Sequence, residues 1–72
     1  MPIFDYSRLR GRIREIFGTQ AAFAQAIHIG PVSLSKRLNN ELEFTGPEMM
    51  ATADALRFDY EEIPAYFFVL KV

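Results

Sequence analysis

The sequence contains no cysteine and no tryptophan, and a single histidine, His28. Without thiols there can be neither a disulfide framework nor a thiolate zinc site. One histidine cannot build an imidazole metal site alone, and no nucleophile–base pair or glycine-rich phosphate loop accompanies it. The chain also lacks an apolar run near the ~20 residues that span a bilayer. No basic stretch followed by an apolar segment marks a signal peptide. These absences speak against an enzyme, a metal or other cofactor, a small-molecule ligand and a membrane partner. The expected location is the cytoplasm of a bacterial or phage-infected cell.

What remains is a chain of 72 residues, half of them hydrophobic, with seven Phe and three Tyr. That is room for one domain, residues 1–72. A domain this small buries only roughly 60% of its unfolded surface, and association with a second copy is the remedy left to it.

The net charge of −1 hides a division. Residues 1–40 carry Arg8, Arg10, Arg12, Arg14, Lys36 and Arg37 against Asp5 and Glu15, six cations to two anions, a net +4. Residues 41–72 carry two cations against seven carboxylates, a net −5. A basic half of this kind suits a polyanion.

Periodicity and breakers predict an all-α chain of four to five short helices with one strand at the end. Leu9, Ile13, Ile16 and Phe17 mark one face of a helix over residues 6–17, with Asp5 or Ser7 as its cap and Gly18 as its stop. Thr19 caps a second helix over residues 20–27. After the turn His28-Ile29-Gly30, Pro31 opens a third, which ends at Asn39-Asn40. Thr45 and Glu48 form a capping box for a fourth, reaching about residue 56 with Met49 and Met50 inward. Asp59 and Glu62 repeat that pattern, but Pro64 limits the segment to one turn. Residues 65–72, with Tyr66, Phe67, Phe68, Val69 and Leu70, read as a strand. A lone strand either packs back on its own helices or pairs with a second chain. The expectation is pairing in a two-fold homodimer through those five residues.

Residues 20–39 carry the functional signal. Two short helices joined by a tight turn match a helix-turn-helix, whose second helix enters the major groove of double-stranded DNA. Ala24 is small where the helices cross, and Ile27, Ile29 and Leu34 fill the wedge between them. Val32, Ser33, Ser35, Lys36 and Asn39 lie away from that wedge.

With those residues, the chain resembles the lambda-repressor-like helix-turn-helix proteins, including phage Cro-type repressors. The resemblance runs over about residues 7–63. It rests on Gln20, Phe23, Ala24, Ile27, Ile29, Leu34 and Asn39, then on Met49-Met50, Ala53-Asp54-Ala55-Leu56 and Tyr60-Glu61-Glu62-Ile63. It implies that Gln20 holds a phosphate and braces the reading helix, that Val32, Ser33 and Lys36 face base edges, and that Asn39 meets the backbone. Thr19, Ser35, Asn40 and Arg12 complete the expected phosphate set. The implied function is a sequence-specific transcriptional regulator, a Cro-type repressor binding an operator as a dimer. The alternative is a protein-interaction module on the same fold.

The sequence departs from that pattern at four places. His28 and Arg57 stand where glycine is usual, Pro31 replaces a polar residue, and Arg37 occupies a position that is commonly apolar. The Arg37 stem is expected along the core with its guanidinium in water.

Overall fold

In the computed structural model, residues 3–71 are described. Among them the elements run α1 (Ser7–Phe17), α2 (Gln20–Ala26), α3 (Pro31–Leu38), α4 (Gly46–Leu56), a 3₁₀ turn (Tyr60–Glu62) and α5 (Ile63–Phe67). Among the described residues no helix is long and apolar enough to cross a membrane.

Local chemistry sets each boundary. The N-cap of α1 is Tyr6 rather than Asp5 or Ser7, so the helix begins one residue later than its periodicity suggests; Asp5 Oδ1 accepts from the Ser7 amide at 2.8 Å just ahead of it. Gly18, at φ 79°, closes that helix by donating its N–H to the Arg14 carbonyl. The capping box of α4 forms as expected: Thr45 Oγ1 accepts from Glu48 N at 3.3 Å, and Glu48 Oε1 accepts from Thr45 N at 2.8 Å. Arg57 ends α4 in the left-handed conformation, at φ 60°, where glycine would be unstrained.

The helices enclose one core. Leu9 and Ile13 of α1 meet Phe23 and Ala24 of α2, Leu34 and Leu38 of α3, Ala53 and Leu56 of α4, and Phe67 of α5. Thr52 is buried as well, its hydroxyl satisfied by the Glu48 carbonyl at 2.8 Å. Met49 packs against this core, but Met50 points to solvent rather than inward.

The carboxyl-terminal strand expected over residues 65–72 is absent among the described residues, Val72 lying outside them. Tyr66 and Phe67 belong to α5, and no strand occurs among the described residues. Pro64 does not prevent the helix because it sits in the first turn, where a missing N–H costs nothing. The 3₁₀ turn before it also means that no regular α-helix precedes the ring. The aromatics then follow a helical period: Phe67 is 1% exposed and Phe68 49%. Tyr66 stacks on Phe58 with centroids 4.1 Å apart, and Phe67 meets Phe44 edge-on at 4.9 Å.

Among the described residues, extended backbone pairing is confined to an isolated antiparallel bridge between Phe4 and Leu70. Asp5 N donates to Val69 O at 2.7 Å and Lys71 N to Ile3 O at 2.8 Å. The segment expected to need a second chain thus finds its backbone partner within its own.

Candidate nucleic-acid interface

The geometry of α2 and α3 follows from five devices. Thr19 Oγ1 accepts from Ala22 N at 3.1 Å and starts α2. His28 takes the left-handed conformation, φ 59°, which turns the chain as the glycine usual at this place would. Ile29 N donates to Ala24 O at 2.9 Å, closing the turn over the crossing point. Ala24 and Leu34 are fully buried there, so the small side chain on one helix admits the large one from the other. Pro31 then opens α3, and Leu34 N donates to Gly30 O at 2.9 Å.

With Leu34 and Leu38 facing inward, α3 presents Val32, Ser35, Lys36 and Asn39 as one stripe at i, i+3, i+4 and i+7. Val32 is 70% exposed; Lys36 and Asn39 are exposed too, and Ser35 is half-buried. Such a surface offers methyl groups, a cation and an amide to a groove. Ser33, expected beside Val32 and Lys36, is on the neighbouring row. Its Oγ accepts from the Arg37 guanidinium, which ties it to the α4 side of the domain.

Arg37 is not a free cation. Its Nε and Nη2 donate to the two carboxylate oxygens of Glu48, each at 3.1 Å, and its side chain is only 15% exposed. The guanidinium expected in water is therefore held in a bidentate pair between α3 and α4. Burial pushes the Glu48 carboxyl up, but hydrogen bonds from Thr45 and Arg37 outweigh it and leave its pKa below the ordinary value.

The four arginines of α1 divide by spacing. Arg8 and Arg12, four residues apart, share one flank of the helix; Arg10 and Arg14 share the other. The first flank is structural. The Arg8 guanidinium lies over the Tyr66 ring, 4.6 Å from its centroid. Arg12 Nε donates to the Leu56 carbonyl at 3.0 Å, and its Nη1 pairs with Glu15. Arg12, expected among the phosphate contacts, thus has its guanidinium engaged at the end of α4.

The second flank faces the helix-turn-helix. Arg10 Nη2 donates to Leu38 O and to Asn39 Oδ1, both at 3.1 Å, while Nη1 reaches Gln20 Oε1 at a longer 3.4 Å. Arg14 is exposed and helps line a hollow of about 50 Å³ with Arg10, Ile13, Gly18 and Gln20. Neither residue was singled out by sequence, although their four-residue spacing on the flank opposite Arg12 carried the signal.

Asn40, also expected at a phosphate, is engaged within the fold as well. Its carboxamide accepts from Phe4 N at 2.9 Å and donates to Phe4 O at 3.1 Å, so both ends are engaged within the fold. The residues brought to one surface are Gln20, Val32, Ser35, Lys36 and Asn39, with Arg10 and Arg14 beside them.

A profile of DUF739, described as a protein of unknown function, matches residues 2–69. The chain belongs to the DUF739 family. Among solved structures it is similar to the modulator of repression (MOR) of the temperate bacteriophage TP901-1 from Lactococcus lactis. The two share 35% identity over 90% of this chain and 88% of that one, with a TM-score of 0.80. The DNA-binding domain of the P22 c2 repressor superposes with a TM-score of 0.70 at 22% identity, over 88% of this chain and 83% of that one. The P22 c2 repressor in complex with a synthetic operator gives 0.69 at 23%, over 85% and 92%. The fold is that of the phage repressor helix-turn-helix proteins. No curated protein matches the sequence.

Proposed function

We propose that this DUF739 protein is a sequence-specific DNA-binding transcriptional regulator of phage or prophage origin, a Cro-type repressor that places α3 in the major groove of its operator. The observation that carries this reading is the stripe Val32, Ser35, Lys36 and Asn39. It stands clear of the core on a helix held rigidly by Ala24, Leu34 and the Arg37–Glu48 pair. The P22 c2 repressor, of the same fold, is crystallised with an operator, which supports the reading. Lys36 would donate to guanine O6 and N7, and Val32 would meet a thymine methyl. Gln20, Ser35 and Asn39 would take phosphate, as would Thr19 at the adjoining helix start.

A dimer on a two-fold operator remains part of this proposal, with a different surface from the expected strand. Tyr66 and Phe67 are committed to the core, which leaves Phe68, Val69 and Leu70, with Ile3 beside them, as exposed apolar groups for a second copy. Sedimentation over a range of concentrations tests it.

Selection of bound duplexes from a random pool, followed by titration at several salt concentrations, tests the DNA reading. Affinity should fall steeply with salt as counterions are released. A protein-interaction module is the second reading, and it draws on the name of the TP901-1 relative, a modulator of repression. Regulation of that kind is open to a protein that binds another protein. Selection that enriches no duplex, or binding indifferent to salt, would favour it.

A further inference from the structure

We propose that Arg10 is a positioning residue: it fixes which way the carboxamides of Gln20 and Asn39 face, so that both offer N–H donors to a phosphate. The inference rests on the DNA-binding reading above and adds a residue that touches neither base nor phosphate.

A guanidinium has donors and no acceptor. Arg10 Nη1 meets Gln20 Oε1, and Nη2 meets Asn39 Oδ1 and the Leu38 carbonyl. Were either carboxamide turned over, its NH₂ would oppose the arginine donors with nothing to accept them. Each amide is therefore held oxygen-inward, which leaves Gln20 Nε2 and Asn39 Nδ2 for an outside acceptor. Among the described residues neither nitrogen has a partner.

The bond to Leu38 O anchors the fork itself. That carbonyl belongs to the last turn of α3, where free acceptors and the helix dipole favour a cation. Arg10 thus spans three helices: it leaves α1, grips the end of α3, and reaches the first residue of α2. It brings together two amides that lie at the start of one helix and just past the end of the next. A neutral carboxamide binds a phosphate oxygen only when its NH₂ is presented, so their polarity decides whether the pair attracts or repels the DNA backbone.

Arg10→Met and Arg10→Lys in the full chain separate positioning from direct contact. In the free protein, the side-chain amide resonances of Gln20 and Asn39 should shift in both variants. On a selected duplex, both should bind on the order of tenfold more weakly. The slope of log affinity against log salt should stay that of the original chain, because no phosphate-neutralising cation has been lost. In a Gln20→Ala, Asn39→Ala background, Arg10→Met should add little further loss.

If Arg10 itself touched phosphate, Met would lower that slope by about 0.9 while Lys kept most of the affinity. That result overturns the proposal, as do unshifted amide resonances or full additivity with the double alanine variant. Failure of the original chain to bind any duplex would instead refute the DNA reading, and the amide resonances would still report on Arg10.

Discussion

The carboxamide of Asn40 closes the backbone of Phe4 from one side while Leu70 flanks it on the other. The bridge between Phe4 and Leu70 is of the kind whose hydrogen bonds come from the neighbouring residues, Asp5 to Val69 and Lys71 to Ile3. The N–H and C=O of Phe4 therefore point away from Leu70, and Asn40 supplies both partners at 2.9 and 3.1 Å. A side chain from the α3–α4 connection acts here as a third strand one residue long. Asn40 is itself left-handed, φ 63°, a conformation asparagine tolerates better than most residues.

Asn40→Gly keeps that conformation and removes the clasp. Stability should fall by about 1–3 kcal/mol, read from denaturant unfolding, because two backbone groups lose their partners. DNA affinity of the folded variant should not change. A clear loss of affinity at full stability would return Asn40 to the phosphate contacts.

Phe67→Ala and Phe68→Ala separate the helical from the extended reading of the carboxyl-terminal aromatics. Phe67 is sealed in the core, so its loss should cost about 3–5 kcal/mol, a large part of the stability of so small a domain. Phe68 is half exposed and meets Phe4 edge-on, so its loss should cost less than about 1 kcal/mol. Equal losses in thermal or denaturant unfolding would contradict the described α5.

The Arg37–Glu48 pair predicts a dependence on pH. Glu48 titrates below its ordinary value of 4.5 in the folded chain, so its contribution is present above that value. It is lost as pH falls through the lower, folded value. Glu48→Gln keeps an oxygen for Thr45 N but loses the charge facing Arg37, and at pH 7 it should cost about 1 kcal/mol. The difference between the two proteins should shrink below pH 4.5 and vanish well under it. A difference that persists in acid would mean that packing, not charge, is what the substitution removes.

Lys36→Ala and Gln20→Ala assign the reading helix. Lys36→Ala should change which base pair is preferred at one operator position, by roughly 1–3 kcal/mol. Gln20→Ala should weaken all sites nearly equally, because a phosphate contact carries no sequence information. Binding of both variants to the operator and its single-base substitutions provides the measurement. Uniform weakening by Lys36→Ala together with altered preference in Gln20→Ala would invert the assignment.

The first four helices to within a residue, the caps at Thr19 and Thr45, the tight turn at His28 and the face of α3 apart from Ser33 were legible in the sequence. Each depends on contacts within a few residues: a hydroxyl reaching an amide three positions on, a proline opening a helix, an apolar period of 3.6. The terminal aromatics were not legible in the same way, since a short run rich in Tyr, Phe and Val satisfies a strand or a buried helix equally. The core decided the matter by taking Tyr66 and Phe67 together, a helical choice, and the bridge to Phe4 then satisfied the backbone beyond. Tertiary structure also sorted the charges. The sequence alone determined that residues 1–40 are basic, but Arg8, Arg12 and Arg37 are spent on Tyr66, Leu56 and Glu48, while Arg10 is turned to Gln20 and Asn39. Those partners lie 10 to 58 positions away, and a guanidinium's role is set by which acceptor the fold brings within its reach.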